Sequence, residues 1–102
     1  MSTKPFAQKL IEDRRLVLLR LLAEQRGQTA NSSVLHMGLH HLGVVVERHE
    51  VIDDLRHLQL HGLLTLEQVI DAVYVARLQG RGEDVVAGTV QVDGISRPRR
   101  GV

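Results

Sequence analysis

Residues 47–67 run Glu47-Arg-His-Glu-Val-Ile-Asp-Asp-Leu-Arg-His-Leu-Gln-Leu-His-Gly-Leu-Leu-Thr-Leu-Glu67. Up to Gly62 the apolar residues keep helical spacing, with Val51, Ile52, Leu55 and Leu58 on one face. Past Gly62 the period drops to two. Leu64 and Leu66 alternate with Thr65 and Glu67, which is the pattern of a half-buried strand. A helix that starts around Glu47, stops at a glycine and passes straight into a strand sets the frame for everything around it.

Upstream lies a second helix. Asn31, Ser32 and Ser33 each offer a side-chain oxygen to the orphan amides of a helix start. Val34, Leu35, Leu39 and Leu42 give an apolar stripe, and Gly43 suits a left-handed stop. Val44, Val45 and Val46 read as an extended turn, so the two helices have the lengths of a helix-turn-helix pair. Before them, residues 6–25 predict a longer helix. Phe6, Leu10, Val17 and Leu21, with Ile11, Leu18 and Leu22, recur at three- and four-residue spacing. Lys9, Glu12, Asp13, Arg20 and Glu24 fall on the complementary positions. Pro5 fits its first turn and Gly27 its end.

Downstream, Tyr74, Ala76 and Leu78 alternate with Val73, Val75 and Arg77, a second strand joined to the first by residues 68–72. Residues 80–88 predict a short helix. From Thr89 on, the chain reads as an extended basic tail, at least partly mobile, with Ser96-Arg-Pro-Arg-Arg-Gly near its end. The expected organisation is one domain over residues 1–88 and a tail over 89–102. Its fold class is mainly α with a small β-hairpin: three helices, a two-stranded wing and a short C-terminal helix.

Bulk properties agree with one soluble globular unit. The chain has 102 residues, 43% of them hydrophobic and 25% charged. Phe6 and Tyr74 are its aromatic residues, so leucine and valine must build the core. There is no cysteine, hence no disulfide framework and no thiolate chemistry. The longest apolar runs are far shorter than a membrane span, and the N-terminus lacks a signal-peptide pattern, which makes the cytoplasm the expected compartment. The formal net charge of +1 hides an uneven distribution. Lys4, Lys9, Arg14, Arg15, Arg20 and Arg26 make the first segment basic, and Arg97, Arg99 and Arg100 do the same for the tail. Between them, Glu47, Glu50, Asp53, Asp54, Glu67 and Asp71 face only Arg48 and Arg56.

The stretch Val51-Ile-Asp-Asp-Leu-Arg-His-Leu, then His61-Gly-Leu-Leu, the strand Val73 to Leu78 and Gln79-Gly-Arg-Gly-Glu-Asp-Val-Val resemble the winged helix-turn-helix superfamily of ArsR- and MarR-like regulators. Gln79 stands where those families carry threonine. Over nearly its whole length the chain is similar to a small winged-helix protein of Mu-like phages and prophages. That similarity rests on Leu10-Ile-Glu-Asp-Arg-Arg-Leu-Val-Leu-Leu-Arg-Leu-Leu-Ala-Glu, Asn31-Ser-Ser and Val92-Asp-Gly-Ile-Ser-Arg-Pro. The superfamily resemblance implies a third helix in the major groove of double-stranded DNA, a wing along a phosphate strand, and a homodimer.

Two uses of such a domain stay open in the residues. For DNA, Arg48, His49, Arg56 and His57 are the candidate groove residues on the outward side of the third helix. Arg97, Arg99 and Arg100 are candidate phosphate contacts on a flexible arm. Against DNA stand the carboxylates of the same helix and a wing connection without Lys or Arg, since carboxylates facing phosphates oppose binding. The alternative is a protein-interaction module of phage assembly or DNA packaging, using the acidic helix or the apolar Val69 and Ile70. The i, i+4 pairs His36/His40 and His57/His61 each supply two imidazoles, short of a metal site, and no metal or other cofactor is expected. Nor is catalysis. There is no phosphate loop in the right context, and adjacent Asp53 and Asp54 point about 100° apart on a helix.

Overall fold

The computed structural model describes residues 4–99. Its elements are α1 (Phe6–Glu24), β1 (Thr29–Asn31), α2 (Ser32–His41), α3 (Arg48–Leu60), β2 (Leu64–Ile70), β3 (Val73–Leu78) and α4 (Gly80–Ala87). A 3-10 turn over Arg26–Gln28, with left-handed Gly27, carries the chain from α1 into β1. The sheet is antiparallel in the order β1-β3-β2. The helix-turn-helix pair and the second hairpin strand follow the sequence pattern closely. The class is nevertheless mixed α/β, with four helices and a three-stranded sheet, rather than mainly α with a two-stranded wing.

The added strand is Thr29–Asn31. Its register against β3 is Thr29 with Arg77, Ala30 with Ala76 and Asn31 with Val75. Three residues are too few to show alternation, so the strand exists because β3 offers it an edge. Asn31 then has a second role as N-cap of α2, its side chain accepting from the Val34 amide at 2.8 Å. Buried Ser32 follows, its hydroxyl accepting from the Tyr74 amide of β3 at 3.1 Å. At the start of α3, Glu47 and Glu50 form a reciprocal capping box. Left-handed Gly62 (φ 73°) ends the region, and the Leu63 amide reaches back to the Leu58 carbonyl at 3.1 Å. The hairpin is longer than expected. β2 extends to Ile70 past a bulge at Gln68/Ile70, leaving Asp71 and Ala72 as the connection instead of residues 68–72.

The core is built mainly of leucine, with Val51, Ile52, Ala76 and Val85 among it: Leu18, Leu19 and Leu22 of α1, Leu35 and Leu39 of α2, Leu55 and Leu58 of α3, and Leu63 and Leu64 behind Gly62. A fully buried leucine contributes roughly 1.5–3 kcal/mol, which is how the domain manages without interior aromatics. The face of α1 differs from the expected one. Phe6 and Leu10 are exposed, Leu16 and Leu19 are inside, and Glu12 is buried. Apolar residues run all round the helix from Leu16 to Leu19, so periodicity alone did not fix its phase. Glu12 tolerates burial because Lys4 donates to both its oxygens at 2.9 Å and Gln8 to one at 3.0 Å. Those hydrogen bonds, Lys4 first, hold its carboxyl below the usual range.

The segment after α4 is not a separate arm. Val92 and Ile95 are buried in the core. The Ser96 amide donates to the Glu12 carbonyl at 3.2 Å, and Arg15 donates to the Gly94 carbonyl at 3.0 Å. The expected boundary at residue 88 therefore does not divide the packed unit. Isolated apolar residues among polar ones gave no period to read. No helix among the described residues is long and apolar enough to cross a membrane.

Candidate nucleic-acid interface

Asp54 decides which way α3 faces. It is buried between the guanidinium groups of two consecutive residues of α1, Arg14 and Arg15. Arg14 Nε pairs with one carboxylate oxygen, and Arg15 Nε with the other at 3.2 Å. The three side chains are 3%, 10% and 16% exposed, so the cluster is held inside and largely dry. Arg14 also approaches Glu50 at 3.8 Å. With Asp54 pointing at α1, residues two ahead and five behind it lie about 200–220° round the helix. These are Arg56 and His49. They are exposed, as are Arg48 and Asp53.

This arrangement changes the charge of the outer face. Of the four carboxylates on or beside α3, Asp54 is neutralised against α1. Glu50 is engaged with the Glu47 amide at 3.0 Å and leans towards Arg14. Glu47 and Asp53 are left beside Arg48 and Arg56. Arg56 is itself anchored to the hairpin. It donates to the Tyr74 hydroxyl at 2.7 Å, with its guanidinium carbon 5.3 Å from the centroid of the Tyr74 ring. Because the Tyr74 amide is held by Ser32, α2, α3 and β3 meet at this one residue.

His57 does not join that face. It shares the inward side with Asp54 and His61, and packs against the His61 ring at 4.4 Å between centroids, the rings tilted by 40°. It lies under the Asp93–Gly94 turn, where a Cβ on Gly94 would stand 2.9 Å from His57 Nε2. That nitrogen is buried without a hydrogen-bond partner. Burial, with Arg15 and His61 adding to it, pushes its pKa below the ordinary 6.5. Sequence spacing placed His57 outward beside Arg56. A step of 100° between neighbours is enough to carry it to the other side.

The remaining expected residues also fall elsewhere. Arg97 and Arg99 are exposed but lie against α1, lining clefts with Lys4, Lys9, Asp13 and Arg20. Arg100 is outside the described residues. The seven candidates thus do not form one surface: Arg48, His49 and Arg56 do, and Arg97 and Arg99 form another. Sequence reading missed Tyr74 and the Arg14–Asp54–Arg15 cluster. The signal available was the arginine doublet within an otherwise leucine-rich stretch, facing an aspartate in register with core positions of α3. The hairpin tip carries no Lys or Arg, while Val69 and Ile70 there are 57% and 65% exposed. Among the described residues no three His, Asp or Glu side chains gather as metal ligands. His36 is occupied with the Val46 carbonyl at 2.7 Å.

No family model matches the chain. Among proteins related by sequence, it is 40% identical over 90 residues to the uncharacterised protein gp26 of Escherichia phage Mu, covering 88% of this chain and 92% of gp26. It is 38% identical over 76 residues to an uncharacterised protein of Haemophilus influenzae, covering 74% of each. Similar solved structures include the complexes of hsRosR-S1 and hsRosR-S4, with TM-scores of 0.61 and 0.62 at 18% identity. The superposition covers 72% of this chain and 63% of hsRosR-S1, and 79% and 71% for hsRosR-S4. At that identity the likeness speaks for the fold alone, and the fold is winged-helix-like.

Proposed function

The chain belongs to the family of gp26 of Escherichia phage Mu, and from that membership and its winged-helix-like shape we propose that it is a non-catalytic, DNA-associated protein of the phage and prophage world, akin to ArsR- and MarR-like regulators. The observation that carries this reading is the withdrawal of Asp54 from the outer face of α3. With that charge neutralised by Arg14 and Arg15, the face turned to a major groove carries Arg48, His49 and Arg56 beside the exposed Glu47 and Asp53. Arginine suits both guanine edges and phosphates. Arg56, tied to Tyr74, sits at the junction of helix and wing, where a duplex lying on both would pass.

The test is equilibrium binding of the full chain to phage-derived and random duplexes between about 50 and about 200 mM salt, compared with Arg48→Ala/Arg56→Ala. Salt-dependent binding that the double substitution weakens supports the reading. Equal binding by the variant sinks it.

One observation favours a protein partner instead. Val69 and Ile70 stand exposed at the hairpin tip, where a phosphate strand would call for cations. On that second reading the tip and the outer face of α3 hold another phage protein. Val69→Asp/Ile70→Asp would then abolish its capture while leaving duplex binding untouched.

A further inference from the structure

Arg97 and Arg99 are held on the far side of α1 from α3. The segment leading to them is fixed by Val92 and Ile95 in the core, by the Ser96 amide on the Glu12 carbonyl, and by the Ser96 hydroxyl on Asp13. Arg15, which faces α3, is separated from Lys9 and Arg20 by about 120–140° round α1. Lys9 and Arg20 therefore project away from α3, and there they meet the two tail arginines. Arg97 and Arg99 line a shallow cleft of about 400 Å³ with Lys4 and Lys9, and a neighbouring one of about 180 Å³ with Arg20. Five cations thus share this surface with the carboxylates of Glu12 and Asp13.

The two carboxylates reduce the patch without cancelling it: Glu12 is buried and paired with Lys4, and Asp13 keeps its charge while accepting from the Ser96 hydroxyl, which leaves four other cations facing one exposed carboxylate. Among the described residues no ion pair engages Lys9, Arg20, Arg97 or Arg99. Glu24 follows Arg20 by one turn and limits the patch at that end. The clefts are open and shallow, lined by long cationic side chains without an aromatic platform. That suits the regularly spaced phosphates of a duplex backbone better than a base or a small enclosed ligand.

We propose that the α1–tail surface is a second DNA-backbone contact, so that one molecule holds two segments of double-stranded DNA on opposite sides of the domain. The half that lies on α3 rests on the function proposed above; the half on α1 and the tail does not. Binding there is independent of sequence and falls with salt, because it is made of phosphate neutralisation alone.

The experiment is a two-duplex capture assay. A short biotinylated duplex is immobilised, the full chain is added, and retention of a second, fluorescent duplex is measured at low salt. The wild-type chain is expected to retain the second duplex. Arg20→Ala/Arg97→Ala/Arg99→Ala should still bind the immobilised duplex but lose capture by roughly tenfold or more, and the corresponding lysine triple should restore it, since a phosphate accepts either cation. Capture that survives the alanine triple overturns the proposal, because two copies would then be bridging through α3. Binding of one duplex with no capture by the wild type overturns it too, and leaves the α3 reading intact. Binding lost in the alanine triple but kept in Arg48→Ala/Arg56→Ala removes the α3 reading and, with it, the bridging.

Discussion

Arg56 of α3 and Tyr74 of β3 are joined twice, by a hydrogen bond of 2.7 Å from guanidinium to phenol and by the guanidinium lying 5.3 Å from the ring centroid. An arginine on an exposed helix face is ordinarily a long, mobile side chain. Here its rotamers are restricted, so on the proposed reading less entropy is lost when it docks.

Loss of Arg56 should therefore be felt directly in DNA affinity. Arg56→Ala is expected to weaken duplex binding by roughly 1–3 kcal/mol, the range of a good arginine contact. Tyr74→Phe keeps the ring and removes the hydroxyl, so it should cost less, about 0.5–1.5 kcal/mol. Fluorescence anisotropy on a common duplex ranks the two. A Phe variant as weak as the Ala variant would place the effect in the fold rather than in the contact.

The Asp54 cluster should dominate stability. Asp54→Ala removes the acceptor shared by the Nε groups of both arginines in a buried site, and removal of one partner of a buried pair costs roughly 3–5 kcal/mol. Arg15 keeps its bond to the Gly94 carbonyl and Arg14 its approach to Glu50, which places the expected loss at the lower end. Urea unfolding gives the answer, and an unchanged midpoint would mean that both arginines escape to water.

Two glycines of α4 offer a matched pair. A Cβ on Gly82 would lie 2.2 Å from the Leu63 carbonyl oxygen and 2.6 Å from a Leu78 methyl, whereas one on Gly80 meets nothing within 4 Å. Alanine is the better helix former by roughly 1 kcal/mol, so Gly80→Ala should be neutral or stabilising. Gly82→Ala should instead lower the melting temperature clearly, because backbone rather than a flexible side chain stands in the way. Equal melting temperatures would contradict that packing.

Acid should act in two stages. His57, flanked by Arg15, His61, Asp54 and the Asp93–Gly94 turn, has its folded pKa pushed below 6.5, first by burial and then by the neighbouring cations. The unfolded chain therefore takes up this proton before the folded one does, so stability falls as pH drops from 6.5 through the folded value and is unaffected above 6.5. Glu12 is shifted the same way from 4.5. Its contribution is complete above 4.5 and is lost as pH falls further. His57→Gln should flatten the upper stage of a stability-against-pH curve and spare the lower one.

How much of this was legible beforehand follows the strength of each local signal. α2, α3 and β3 were readable because caps, glycine stops and periodicity agree along them. β1 was invisible, since Thr29–Asn31 becomes a strand through pairing with β3 and not through its own pattern. The inward turn of Glu12 and His57 could not be read either. Both are polar residues on amphipathic helices; Glu12 is buried and held by Lys4, eight residues upstream, and His57 is half-buried under the Gly94 turn, distant in sequence. The segment with Val92 and Ile95 looked like a tail because two apolar residues carry no period. Charge counting along α3 misled for a related reason: it weighed Asp54 equally with Asp53, although one is inside and the other outside.

The short strand before α2 has a mechanical consequence. Asn31 belongs to the sheet and also caps α2, and the next residue, Ser32, accepts from the β3 amide of Tyr74. Helix pair and hairpin are thus bolted together on both sides of one peptide bond, with no compliant hinge between them. On the proposed reading, the distance from α3 to the base of the hairpin is a fixed gauge. Any mismatch with a duplex must then be taken up by bending the DNA, so a duplex already curved to that gauge should bind more tightly than a straight one.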